Sequence, residues 1–201
     1  ELYYEYLDAD VSDLSAIENK RGIKILGLLG VNLFMRMEME LDLQNQQLTF
    51  RKVDRQGRCL EDREDALPKG VNLAFELRNN AIIAPGKISE EPLRFCFDTG
   101  AEALLLDNKL PAAVYEKLRV SRRTTLLGAG GKETEVLLAY LQEAELGVKF
   151  GGCSAVIADL DLIGAAYGSR VDAFVGYDIL RQGKVSINFI KKELTINPFQ
   201  E

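Results

Sequence analysis

The chain has 201 residues, 47% of them apolar, a formal net charge of -6 and no histidine. Such a composition supports a globular protein with one good core or two small ones, and the well-mixed charges leave no basic stripe for nucleic acid. Without histidine, Ser-His and Cys-His nucleophile pairs are excluded and the commonest transition-metal ligand is lost, so chemistry falls to carboxylates, Lys, Tyr or Cys.

No apolar run approaches the roughly 20 residues of a membrane helix, so no membrane-spanning segment is expected. The chain opens on Glu1 rather than Met, as it would after removal of a leader or an upstream region. A removed leader would make the protein secreted or periplasmic; the compartment is otherwise open. Cys59, Cys96 and Cys153 are far apart and odd in number, which makes a zinc site an unfavourable reading and leaves no cysteine with a catalytic role.

Residues 11–50 match residues 157–196 without a gap: Asp13, Leu14, Ile17, Gly22, Gly30, Leu48 and Thr49 recur as Asp159, Leu160, Ile163, Gly168, Gly176, Leu194 and Thr195. A two-residue shift carries the match back to the start, pairing Glu1, Leu2 and Tyr6 with Glu145, Leu146 and Phe150. The chain thus begins inside a repeat, with residues 1–50 as the C-terminal half of one unit. Residues 51–70 hold eleven charged residues in twenty, ending in Pro68 and Gly70, which predicts a solvated linker or edge excursion. Residues 71–198 then form a complete second unit.

Within it, residues 71–77 and 80–84 are candidate strands and Pro85-Gly86 a turn. Leu93, Phe95 and Phe97 alternate with Arg94 and Cys96, the period of a strand, which runs straight into Asp98. A short helix is expected over 111–118, with Pro111 at its start. Residues 124–136 read as a hairpin whose tip, Gly128-Ala129-Gly130-Gly131, is rich in the residue that tolerates positive φ. Strands follow near 137–140, 145–150 and 154–158, then a short helix over 177–181 and a hairpin of 185–189 with 193–196. The fold class is mostly β.

The chemistry centres on Asp98-Thr99-Gly100-Ala101. An Asp followed by Gly and a small residue suits a tight loop that brings a carboxylate to a symmetry axis, where two such groups can share one proton. By itself the triplet is also an ordinary turn. Its surroundings are more specific: an apolar strand before it, Leu104-Leu105-Leu106 after it, a Gly-rich hairpin about thirty residues on, and Phe174-Val175-Gly176 leading into Tyr177-Asp178-Ile179-Leu180.

This order resembles the retropepsin-like and pepsin-like aspartic proteases. The resemblance implies a retropepsin-like closed β-barrel lobe with two short helices over 71–198, preceded by the C-terminal half of a homologous lobe. It makes Asp98 a catalytic carboxylate, Thr99 the donor of a hydroxyl across the lobe interface, Gly100 and Ala101 parts of the loop, Val175-Gly176 its support, and Gly128 to Gly131 the flap over substrate. It also implies an aspartic endopeptidase that needs no cofactor or metal and acts on a peptide or protein.

Two departures stand out. Glu102 occupies the place where the family usually has Ser or Thr; pointing inward it would raise the pKa of Asp98, pointing outward it would do nothing. The first unit holds no Asp-Thr-Gly within this chain, so the second carboxylate is expected from its missing half or from a second chain, and association is expected because residues 1–50 would otherwise leave an exposed edge. The alternative is an inactive peptide-binding or assembly module with the same fold. The acidic run Glu61, Asp62, Glu64 and Asp65 lacks calcium-loop spacing, and Gly128-Ala129-Gly130-Gly131 does not fit a dinucleotide fingerprint.

Overall fold

The computed structural model describes residues 5–6, 8–15, 18–19, 22–60, 70–127 and 133–199. An irregular stretch, 22–30, leads into a 3-10 helix, Val31–Phe34, and then a hairpin of β1 (Met37–Asp42) and β2 (Gln47–Lys52). Met37, Met39 and Leu41 pack on the core side of β1, while Glu38, Glu40 and Asp42 take the other face, the two-residue period of a pleated strand. These buried carboxylates are paired: Arg51 reaches Glu40 at 3.1 Å, Lys184 reaches Asp42 at 3.4 Å, and Asn188 donates to Glu38 at 3.1 Å.

β3 (Val71–Ala74), β4 (Glu76–Arg78), β5 (Ala81–Ile88), β6 (Glu91–Phe97) and β7 (Leu104–Asp107) follow, then the helix α1 (Ala112–Tyr115). Next come β8 (Leu118–Leu127), β9 (Glu133–Leu141), β10 (Ala144–Leu146), β11 (Val148–Phe150) and β12 (Cys153–Ala158). The chain ends with α2 (Asp161–Ala166), β13 (Ala173–Val175), α3 (Tyr177–Leu180) and the hairpin β14 (Gly183–Asn188) with β15 (Glu193–Pro198). The architecture is mostly β, as expected. No helix among the described residues is long and apolar enough to cross a membrane.

The strands form two sheets. One has five strands in the order β2-β1-β14-β15-β3; the other has ten, running β11-β10-β5-β6-β13-β7-β12-β9-β8 with β4 beside β5. The larger sheet curls as an open path about a core of Phe95, Leu104, Leu106, Leu141, Leu146 and Ile157, each at most 2% exposed. Among the described residues, β11 and β8 stand at opposite ends of the path. Burying each such side chain is worth about 1.5–3 kcal/mol, so this face orders the strands.

Several local expectations change. Pro85-Gly86 is no turn: both lie inside β5, opposite Arg94 and Leu93 of β6. Pro85 has no amide proton, and it falls in the gap between Ile83, the last β5 residue paired to β4, and Lys87, which pairs with β10, where none is needed. The turns fall at Asn79-Asn80 and Ser89-Glu90, all four at positive φ. Residues 145–150 are not one strand but two, folded back at Gly147 with φ +71. Residues 51–52 belong to β2, and 53–60 close a small loop through the Val53–Cys59 bridge; the acidic run at 61–65 lies outside the described residues. Helix α2 had no counterpart in the expectations.

Residues 31–52 and 177–198 share their local structure. The 3-10 helix Val31–Phe34, β1 and β2 each begin and end 146 positions before α3, β14 and β15. Gly22 and Gly168 both have positive φ, as do Gln46 and Lys192. β1 and β14 pair antiparallel with Glu40 opposite Ser186, two positions that are themselves 146 apart, so an approximate two-fold axis passes between them.

Candidate active site

Strand β6 carries Leu93 and Phe95 into the core and delivers Asp98 to the start of a loop, 98–103, that returns as β7. β7 does not pair with β6. Instead β13 lies between them, parallel to β6 through Ala173–Phe95, Phe174–Cys96 and Val175–Phe97, and antiparallel to β7 through Ala173–Leu106 and Phe174–Leu105. Phe174 and Val175 are 2% and 0% exposed in that slot. Their apolar side chains suit a strand buried on both faces.

The loop is held by backbone contacts. The Asp98 N–H donates to the Val175 carbonyl at 3.1 Å, and the Ala101 N–H donates back to the Asp98 carbonyl at 3.2 Å. Beyond the slot, Tyr177 N–H donates to Ala101 O at 2.8 Å and Asp178 N–H to Glu102 O at 3.2 Å. Gly176 makes this approach possible, because a Cβ there would lie 2.5 Å from the Ala101 carbonyl oxygen and 2.8 Å from that of Ala103. Only glycine fits so close to backbone.

The Asp98 carboxylate accepts the Gly100 N–H at 2.8 Å, a charge-assisted bond that fixes its orientation. Asp98 and Ala101 are half-buried, Thr99, Gly100 and Glu102 are exposed, and Val175 and Gly176 are buried. The structure thus brings together Asp98, Thr99, Gly100, Ala101, Val175 and Gly176. Glu102 stands in the exposed part of the loop. The remaining expected site residues, Gly128, Ala129, Gly130 and Gly131, lie outside the described residues; the arms leading to them, β8 and β9, are longer than the expected 124–136 hairpin.

Asp98 also acts on its neighbours. Burial pushes the Cys96 thiol up to about 12, with the negative charge of Asp98 adding to the effect. Burial likewise raises the Tyr167 hydroxyl, helped by Cys96 and Asp98. Cys96 thus keeps its proton within a small apolar cluster with Ile83, Leu160 and Phe174. Among the described residues, no group of three or more Cys, Asp or Glu is placed to hold a metal ion.

Sequence reasoning missed Asp172. This carboxylate, 4% exposed, accepts the Arg94 N–H at 2.8 Å and Arg170 Nε at 2.7 Å, while its own N–H donates to Arg94 O at 2.9 Å. It ties the entrance of β13 to the middle of β6. An acidic residue directly before the fully apolar triplet Ala173-Phe174-Val175 was the available signal.

A family model described as aspartyl protease matches residues 84–179, a little under half of the chain. Among solved structures, the chain is similar to a retropepsin-like aspartic protease from Rickettsia conorii, with 20% identity, a TM-score of 0.43, and coverage of 64% of this chain and 89% of that one. No curated protein matches the chain.

Proposed function

We propose, from the match of residues 84–179 to the aspartyl protease family model, that the protein is an endopeptidase in which Asp98 is one of two carboxylates that activate a water. The observation that carries this reading is the Asp98 carboxylate, oriented by the Gly100 N–H at the head of a loop that Gly176 and β13 lock from behind. The second carboxylate comes from an equivalent loop outside residues 1–201, in the first lobe, or from Asp98 of a second copy. Thr99, exposed beside Asp98, donates its hydroxyl across that junction.

With two carboxylates sharing one proton, the ionised one accepts a proton from water as the water oxygen bonds to the scissile carbonyl carbon. The protonated one gives its proton to the carbonyl oxygen. Collapse of the tetrahedral species returns a proton to the amide nitrogen as the C–N bond breaks. No cofactor enters. The extended substrate pairs strand-like beneath the β8–β9 hairpin, whose Gly-rich tip closes over it.

A peptide-library digest at acidic and neutral pH tests the proposal, comparing the protein expressed from its whole coding sequence with its Asp98→Asn form. Cleavage lost in the variant supports it; equal cleavage by both, or by neither, overturns it. A second reading, a peptide-binding module without turnover, is favoured by Glu102, which puts a carboxylate where the family has a hydroxyl. Peptide binding without cleavage in the same assay selects that reading.

A further inference from the structure

We infer that Tyr167, carried by the excursion 159–172, is a specificity-determining residue whose ring forms a raised floor beside Asp98, so that only a small substrate side chain, Gly, Ala or Ser, fits next to the scissile bond. This inference rests on the proposed peptidase reading and deepens it to a substrate class.

The alternation of the strands defines the surface concerned. Phe95 and Phe97 of β6 pack on the main core, so Arg94 and Cys96 take the other face, and Asp98 continues that side. On β13 and β7, Ala173, Val175, Leu104 and Leu106 likewise belong to the main core, whereas Phe174 and Leu105 pack with Cys96 in the small cluster. The β6–β13–β7 ladder therefore has an outer face of Cys96, Phe174 and Leu105 that ends at Asp98. Cys96 and Phe174 are only 1% and 2% exposed. A face this dry has a cover, and Leu160, Val171 and Tyr167 of the excursion pack against it.

Polar contacts fix the direction in which the excursion crosses. Arg94 Nη2 donates to Ser169 Oγ at 2.8 Å, and Arg170 Nε donates to Asp172 Oδ1 at 2.7 Å. Farther along, Asn79 Nδ2 donates to the Ala166 carbonyl at 3.1 Å. Arg94 lies four residues before Asp98. Asn79 lies in the turn before β5, and Ile82 of β5 pairs with Phe97, so that turn stands at the Asp98 end of β6. Between Ser169 and Ala166 the chain thus climbs from the level of Arg94 to the level of Asp98, and Tyr167 lies on that path.

The ring itself is seated on the cluster. Its centroid is 6.1 Å from that of Phe174, with the planes tilted by 45°, and Phe174 precedes the residue whose carbonyl accepts the Asp98 N–H. The Tyr167 N–H donates to Gly164 O at 3.1 Å, and Gly168, at φ +61, turns the chain directly after it. Burial raises the hydroxyl, and the charges of Cys96 and Asp98 reach it as well, in keeping with this placement. Tyr167 is half-buried: one side seals Cys96 and Phe174, and the other is presented beside Asp98. An extended peptide directs alternate side chains to such a surface. The side chain that points at this face meets a ring already in place, with nearly fully buried groups beneath it, and a large one has no depth to enter.

The peptide-library digest, run on the protein expressed from its whole coding sequence, reads this preference. The unsubstituted protein should cut where Gly, Ala or Ser stands next to the scissile bond, and Tyr167→Ala should shift kcat/KM toward Leu or Phe there by on the order of 10-fold or more. Tyr167→Phe keeps the ring and should keep the unsubstituted profile. The same profile in Tyr167→Ala, or a preference for large residues in the unsubstituted protein, overturns the inference. A binding measurement stands independently of cleavage and of whether Tyr167→Ala folds. Residues 1–201 contain no tryptophan, so Tyr167→Trp in the Asp98→Asn protein adds an emission signal at this position, read as the difference from Asp98→Asn alone. Capped hexa-alanine should shift that emission, and the same peptide with Leu at its third and fourth positions should bind about 10-fold more weakly or worse. An emission blind to hexa-alanine, or equal or tighter binding of the Leu peptide, overturns the inference. Emission that responds as expected in a protein that never cleaves defeats the peptidase reading alone, whereas Asp98-dependent cleavage with a profile indifferent to Tyr167 defeats this inference alone.

Discussion

The α-carbon of Gly176 lies so close to Ala101 that a Cβ added to it would stand 2.5 Å from the Ala101 carbonyl oxygen. That contact couples the exit of β13 to the loop bearing Asp98. Gly176→Ala must push either the loop or β13 outward, an overpacking that costs about 1–3 kcal/mol. Urea titration should show a lowered midpoint. An unchanged midpoint would mean the loop moves freely and is not locked from behind.

Asp172 does for the start of β13 what Gly176 does for its end. Replacing it by alanine leaves the Arg94 N–H without its carboxylate acceptor in a largely buried site and releases Arg170. Losing charge-assisted bonds at a buried carboxylate costs about 1.5–3 kcal/mol. We expect Asp172→Ala to destabilise by that amount in the same titration, and Arg170→Ala by less than about 1 kcal/mol, because the arginine is largely exposed and such pairs are weak.

For Asp98→Asn, stability and activity should separate. The asparagine keeps an Oδ1 that accepts the Gly100 N–H, so the loop survives and the urea midpoint should hold to within about 0.5 kcal/mol. General acid–base capacity is lost, which lowers kcat/KM by about 100-fold or more. A variant that unfolds would show that the carboxylate is needed for the loop itself.

The loop at 98–101 and the strand behind it were legible in sequence because their signals are local and chemically specific. Asp98-Thr99-Gly100 follows an alternating strand, and Val175-Gly176 precedes a helix, so both halves of the slot announce themselves. What could not be read was contact between distant segments. Gly86 looks like a turn residue, yet a Cβ there would strike Glu145 O, Leu146 and Phe95 within 2.6–2.8 Å; it is glycine because β10 and Phe95 crowd it. Helix α2 escaped notice because its six residues include Gly164, a weak helix former, and its first turn is set by Asp159 accepting the Asp161 N–H.

The true turns offer a stabilising change. Ser89 and Glu90 both sit at positive φ, 52 and 62, a conformation that Asn-Gly adopts with far less strain in two-residue hairpins. The double substitution S89N/E90G should raise stability by about 1 kcal/mol. It removes the exposed Lys87–Glu90 ion pair at 2.9 Å, but such a pair contributes little. Thermal melting checks this; a lowered melting temperature would assign the ion pair the larger share.

Alkaline stability should depend on Cys96. Burial, then the charge of Asp98, raises its thiol from 9.0 to about 12 in the folded protein. The folded state thus holds its proton where the unfolded chain has released it. The contribution is complete below pH 9 and is lost as pH rises from there through about 12. Burial also raises Cys153, to about 11, so two thiols act in the same direction. Unfolding free energy should therefore fall as pH rises from about 9 through about 12, and fall less in Cys96→Ala than in the unsubstituted chain. Parallel declines in the two proteins would show that the Cys96 thiol does not set the alkaline limb.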